Sequence, residues 1–237
     1  MDKRVFLRKC SIWSIVLILI FSACSPLKKY KPKDRQWAIP EIEAFEKLDT
    51  TEEYDKEAIL FIGSSSIRLW NTLERDMTPY PVIQRGYGGA HFRDMIYFTD
   101  RILADHPLSM VVCFVANDIS GSPKDGSPKE VLRLFKYFVK QVRSKHPQIP
   151  ILQIAITPTQ SRWKKWAEIK MVNDLIQAYC DKTENLYFID TVPTFLNEKG
   201  LPKTEWFIRD QLHLNETGYT VWNQLIKSEI ERVKSMR

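Results

Sequence analysis

The chain has 237 residues, 44% of them apolar and 12% aromatic, enough for one sizeable core with no length that forces a second domain. The formal charge is +6, but residues 1–23 hold four basic side chains and one acidic; without them 31 basic residues face 28 acidic ones, a net +3. So mild a balance, with no ladder of aromatic and basic side chains, argues against a nucleic-acid partner.

The chain opens on a basic start, then Ile12-Trp13-Ser14-Ile15-Val16-Leu17-Ile18-Leu19-Ile20-Phe21, then Ser22-Ala23 before Cys24. A basic region, a short apolar stretch and small residues mark an export signal, and the stretch is too short to span a bilayer, which takes about 20 residues. It resembles a bacterial lipoprotein signal, although Phe21 stands where such signals usually carry an aliphatic residue. The resemblance implies removal of residues 1–23, lipid on Cys24, and a domain held to a membrane outside the cytoplasm, in the cell envelope, facing the periplasm or at the outer membrane. An uncleaved anchor helix and an ordinary signal peptide are the competing readings. Residues 24–40, rich in Lys28, Lys29, Lys31, Lys33, Pro26, Pro32 and Pro40, are expected to form an extended tether, leaving 41–237 as the domain.

Beyond residue 40, short β-rich runs alternate with segments of helical period, the pattern of a parallel sheet covered by helices on both faces. The spacing predicts strands at 58–62, 82–85, 110–115, 151–156 and 186–189. Leu132, Phe135, Phe138, Val139 and Val142 form one helical stripe, and Trp166, Ile169, Val172, Ile176 and Tyr179 another. A last helix begins after Asn215, a good N-cap. Cys113 in a strand-like run and Cys180 at a helix end are expected to be buried core residues, and no Cys or His spacing suggests zinc.

Ligands of open parallel sheets bind beyond the carboxyl ends of the strands. Gly63-Ser64-Ser65-Ser66 follows the first strand, Gly86-Tyr87-Gly88-Gly89-Ala90 the second, Asn117-Asp118 the third and residues 157–163 the fourth, so the polar and glycine-rich segments gather on one edge. A serine at a strand-to-helix junction is either an exposed nucleophile or a helix cap. Glycine at 88 and 89 lets backbone N–H groups approach an oxyanion, or simply makes a tight turn. Asp210 and His213, three residues apart just before an N-capped helix, suit a carboxylate-oriented general base, against a loop ion pair as the plainer reading. The α/β-hydrolase elbow would need glycine at Ile67 and the dinucleotide loop would need glycine at His91, so neither motif is present.

Taken together these segments resemble the SGNH hydrolases, or GDSL-type esterases, named for a serine, a glycine, an asparagine and a histidine in four separate blocks. Gly63-Ser64-Ser65 aligns with the first block, Ser64 replacing its aspartate. Gly89 matches the second, Val115-Ala116-Asn117-Asp118 the third with valine for its leading glycine, and Asp210 with His213 the fourth in full. The resemblance covers residues 58 to about 230. It implies a flavodoxin-like, three-layer α/β/α sandwich around a five-stranded parallel sheet. It further implies Ser65, His213 and Asp210 as the catalytic residues, and an oxyanion hole formed by Ser65, Gly89 and Asn117. No metal or organic cofactor is called for. Val115 is expected to narrow the pocket, whereas the loss of the aspartate at Ser64 is expected to matter little.

Tyr87, Arg162 and Trp163 are expected around the substrate pocket. The resulting expectation is a membrane-anchored serine esterase acting on a small-molecule or glycan ester, with a short acyl group on a carbohydrate or envelope glycan preferred. The alternative from another class is a non-catalytic lipoprotein that holds a glycan or lipid on the same fold.

Overall fold

The computed structural model describes Tyr30 and residues 32–236. The signal and Cys24 lie outside the described residues. In chain order the elements are a 3-10 helix at Pro32–Ala38, α1 (Ile39–Asp49), β1 (Ala58–Gly63), α2 (Ser65–Arg68), α3 (Leu73–Met77), β2 (Val82–Gly86), α4 (Phe92–Leu103) and β3 (Leu108–Phe114). There follow α5 (Pro128–Lys145), β4 (Ile151–Ile154), a 3-10 helix at Gln160–Lys165, α6 (Trp166–Cys180), β5 (Leu186–Ile189), α7 (Val192–Phe195), a 3-10 helix at Thr204–Trp206 and α8 (Glu216–Ser235).

All pairings within the sheet are parallel, in the order β2-β1-β3-β4-β5. The chain steps to one side from β1 to β2 and to the other from β2 onward, so right-handed crossovers put α3 on one face and α4, α5 and α6 on the opposite face. α8 joins α3 against the first face, and α1 joins the second beside α4. β1, inside the sheet between β2 and β3, is buried along its whole length, which is why it reads as an unbroken apolar run. Helix ends follow local chemistry: the Ser127 hydroxyl accepts the Glu130 N–H ahead of Pro128, and the Asn215 side chain accepts the Gly218 N–H at 3.0 Å. Cys113 and Cys180 are free and buried.

Several boundaries differ from the sequence reading, β1 and β2 by a single residue at their carboxyl ends. β3 begins two residues early, at Leu108, because Ala58 already pairs there. β4 stops at Ile154 rather than 156: the Ala155 N–H still reaches Ile189 O, but Ile156 has its N–H and C=O satisfied by the Asn173 side chain at 2.9 and 3.0 Å, so a side-chain amide takes the place of a strand neighbour. The larger correction concerns the tether. From Pro32 the chain is helical and packed, with Arg35 only 2% exposed and Ala38 fully buried. Arg35 lies 3.7 Å from the Asp94 carboxylate and over the Tyr97 ring, partners that composition could not reveal.

β1 and β3 approach so closely at their carboxyl ends that a Cβ on Gly63 would stand 2.1 Å from the Phe114 carbonyl oxygen. Backbone cannot yield like a side chain, so Gly63→Ala should cost about 3 kcal/mol of unfolding free energy by the usual scale of overpacking, read as a lower urea midpoint.

Candidate active site

α2 starts two residues after Gly63, placing Ser65 at its first helical position. Ser64, at the N-cap, is buried and makes no side-chain capping bond, so the capping reading of the serine run does not hold. The Ser65 N–H, at a helix start where no intrahelical acceptor exists, has no protein acceptor among the described residues. Its hydroxyl lies 2.9 Å from His213 Nε2.

His213 and Asp210 sit in a tight loop closed by the bridge between Phe207 and Leu214 and by the bond from Ile208 N–H to His213 O. Gln211 turns the chain with φ +55°, and its carbonyl accepts the Ser161 N–H from the fourth loop. Within this turn Asp210 Oδ1 accepts the N–H groups of Leu212 and His213 at 2.9 and 3.0 Å, while Oδ2 lies 2.6 Å from His213 Nδ1. The three-residue spacing therefore uses one carboxylate oxygen to shape the loop and the other to orient the ring. Burial alone would raise the Asp210 carboxyl, but the bonds from the His213 ring and from the two backbone N–H groups outweigh it and hold the carboxyl below its usual range. The tautomer with hydrogen on Nδ1 satisfies both contacts, leaving the Nε2 lone pair toward Ser65.

Gly89 is exposed with φ +73°, a conformation that favours glycine, and its N–H has no protein acceptor among the described residues. Asn117 donates one Nδ2 proton to Ala90 O at 2.9 Å, which sets its amide beside the Ala90-His91 peptide and leaves a second proton free. Arg162 fixes that orientation. Its guanidinium donates to Ala116 O and to Asn117 Oδ1, both at 2.6 Å, and because arginine has only donors the oxygen end of the amide must face it. Burial presses the guanidinium below its ordinary range, yet arginine keeps its charge. Asp118 turns the other way and accepts the Phe92 N–H, anchoring the third loop to the start of α4.

A cavity of about 20 Å3 lies at the serine, lined among others by Ser65, Asn117, Arg162, Leu212, Leu214 and Trp222. It holds a water or a methyl-sized group and little more. A larger cavity of about 730 Å3 opens along Gly88 and Gly89, walled by Trp37, His91, Arg93 and Lys124.

The structure thus brings Ser65, His213 and Asp210 into contact and ties Asn117 to Ala90, the residue after Gly89, but it moves the predicted pocket residues. Tyr87 is fully buried, edge-on to Phe98, and burial raises its hydroxyl well above the usual range. Trp163 stacks on Trp166 and lines neither cavity at the site. Arg162 reaches the small cavity, with its charged end committed to Asn117 and Ala116. Val115 does not narrow the site: it is 1% exposed and points into the core, while its neighbours Phe114 and Ala116 line the cavity. Trp37 was hidden inside the presumed tether, and no local signal marked it.

Residues 63–221 match the model of the GDSL-like lipase/acylhydrolase family. No curated protein matches the chain. Among solved structures, a Streptococcus pneumonia protein provisionally described as a platelet activating factor is similar at TM-score 0.73 and 20% identity, covering 86% of this chain and 95% of the other. A GDSL-like lipase from Bacteroides thetaiotaomicron is similar at 0.68 and 16%, covering 81% and 98%. A carbohydrate esterase family 3 protein from Talaromyces cellulolyticus is similar at 0.60 and 13%, covering 76% and 99%. At these identities the structures share the fold, five parallel strands flanked by helices, and the match over most of the domain shows that this chain belongs to the GDSL-like lipase/acylhydrolase family, the SGNH hydrolases.

Proposed function

We propose that the protein is a serine esterase, lipid-anchored through Cys24 in the cell envelope, that removes short, acetyl-like acyl groups from a carbohydrate. The observation that carries this reading is the continuous relay from Ser65 Oγ to His213 Nε2 and from His213 Nδ1 to Asp210 Oδ2. His213 takes the serine proton as Oγ attacks the ester carbonyl, and Asp210 stabilises the imidazolium that forms. The oxyanion is met by the N–H groups of Ser65 and Gly89 and by the free Nδ2 proton of Asn117. His213 then hands its proton to the leaving alcohol, takes one from water as the water oxygen attacks the acyl-serine, and returns it to Ser65 Oγ as the acid leaves. A short acyl group is favoured by the size of the cavity at Ser65. A carbohydrate is favoured by the carbohydrate esterase among the similar folds.

A fluorophosphonate probe should label the protein, fail on Ser65→Ala, weaken strongly on His213→Ala, and persist on Ser66→Ala. Folded protein that takes no label would instead support a binder of glycan or lipid. Against aryl esters, kcat/KM should fall at least tenfold from acetate to hexanoate, because the added methylenes have no room; equal rates would refute the short-acyl assignment. Asn117→Ala should cost about 100-fold in kcat, the usual worth of one oxyanion donor. Arg162→Met leaves the Asn117 amide free to turn, so it should lower kcat with little change in KM; an unchanged kcat would show that the guanidinium only supports the loop.

A further inference from the structure

We infer that the cavity beside Gly89 binds the alcohol portion of the substrate, and that this portion is an acidic carbohydrate bearing a carboxylate near the acylated hydroxyl. The inference rests on the esterase reading above and deepens it. An ester whose carbonyl oxygen sits at the Gly89 N–H has two substituents to place. The cavity at Ser65, about 20 Å3, takes only a small acyl group, so a bulky alcohol must occupy the other, of about 730 Å3, whose lining begins at Gly88 and Gly89.

Its walls carry one sign of charge in excess. Four charged groups line it: Arg35, Asp94, Arg93 and Lys124. Asp94 is spent within the protein, 3.7 Å from Arg35 and hydrogen-bonded to the His91 N–H. Glu41, nearby, accepts the Gly88 N–H and stands 3.9 Å from Arg68. Arg93 donates only a long 3.5 Å bond to Lys124 O and lies over the Tyr30 ring, and neither Arg93 nor Lys124 meets a carboxylate among the described residues. Two cations with no carboxylate at ion-pair distance, Arg93 feeling the buried Asp118 only from further off, thus face a concave space where field lines concentrate. Arginine there can hold a carboxylate through two parallel N–H bonds.

The aromatic wall points to a sugar. Trp37 is 48% exposed, although its neighbours Arg35 and Ala38 are buried, and its ring would lie 3.7 Å from a Cβ on Gly89. An exposed indole face at the edge of a wet, cationic cavity suits the apolar face of a pyranose ring whose substituents reach the charged groups. A phospholipid would share the anion but calls for a long apolar channel, whereas this cavity is lined by Arg35, His91, Arg93, Asp94 and Lys124 among its residues.

The test separates this claim from the esterase reading by measuring binding without turnover. Using Ser65→Ala, titration calorimetry compares an acetylated oligosaccharide containing uronic acid with a neutral acetylated xylo-oligosaccharide of equal length. The acidic sugar should bind at least tenfold more tightly at low salt, and the preference should disappear in Ser65→Ala carrying Arg93→Gln and Lys124→Gln. In the active protein the same pair of substitutions should lower the ratio of acidic to neutral kcat/KM at least tenfold, chiefly through KM. Equal affinity for the two sugars, or a preference that survives both substitutions, would overturn the inference. Stronger binding of vesicles rich in anionic phospholipid, lost with the same substitutions, would overturn it in favour of a lipid. Failure of the wild-type protein to hydrolyse aryl acetates would count against the esterase and leave the binding comparison to decide the groove.

Discussion

The seam where β1 meets β2 and β3 at their carboxyl ends is the constraint from which the site follows. Gly63 pairs in register with Gly86 on one side and Phe114 on the other, and the Ser64 N–H reaches the Phe114 carbonyl. Neighbouring strands lie about 4.8 Å apart, so the loops bearing Ser65, Gly89 and Asn117 start within two strand spacings of one another. Three groups that would converge on one carbonyl in the proposed reaction are thereby brought near one another by backbone pairing.

In the proposed reaction the histidine cannot come from the same seam, because it would have to approach the serine from the opposite side to the oxyanion donors. It comes from the far end of the chain, on the loop ahead of α8, and that helix is tied down where it matters. Tyr219 donates to Ser66 O and stacks on Trp70, and Trp222 packs edge-on against Phe114 and donates to Thr157. Gly218 permits the approach, since a Cβ there would stand 2.3 Å from Trp206 O. Asp210 adds a second kind of order. With its carboxyl held below the ordinary range, it stays ionised on acidification past the point at which an unpaired carboxylate takes up a proton, and the contacts that depend on its charge are lost only as pH falls through that lowered value.

Much of this was legible in the residues because each signal was local. An unbroken apolar run could only be an inner strand, and Asn215 capped its helix as such a residue should. Asp210 and His213 needed nothing but their spacing to suggest an oriented base. What stayed hidden depended on partners distant in the chain. Asn173 replaces a strand neighbour for Ile156, Arg162 orients an amide 45 residues away, and Arg35 is buried by Asp94 and Tyr97. A lysine- and proline-rich composition describes what a segment costs to bury by itself. It is silent about a single arginine whose charge is met elsewhere. Val115 misled for a local reason: successive side chains of an extended run alternate in direction, so it packs in the core while its immediate neighbours Phe114 and Ala116 line the cavity.

That misread segment also ties the anchor to the chemistry. With Cys24 lipidated as proposed, six peptide units separate it from Tyr30, at most about 22 Å of extended chain. Tyr30 is already part of the domain, its hydroxyl hydrogen-bonded to Glu130 and its ring beneath Arg93 in the wall of the cavity beside Gly89. The chain that would leave the membrane therefore becomes, within that reach, the wall of the groove itself. A longer tether would let the catalytic edge sweep widely, whereas lipid on Cys24 would hold it near the bilayer surface. The reachable esters are then those presented close to the membrane, which favours a polymer of the envelope over a free metabolite.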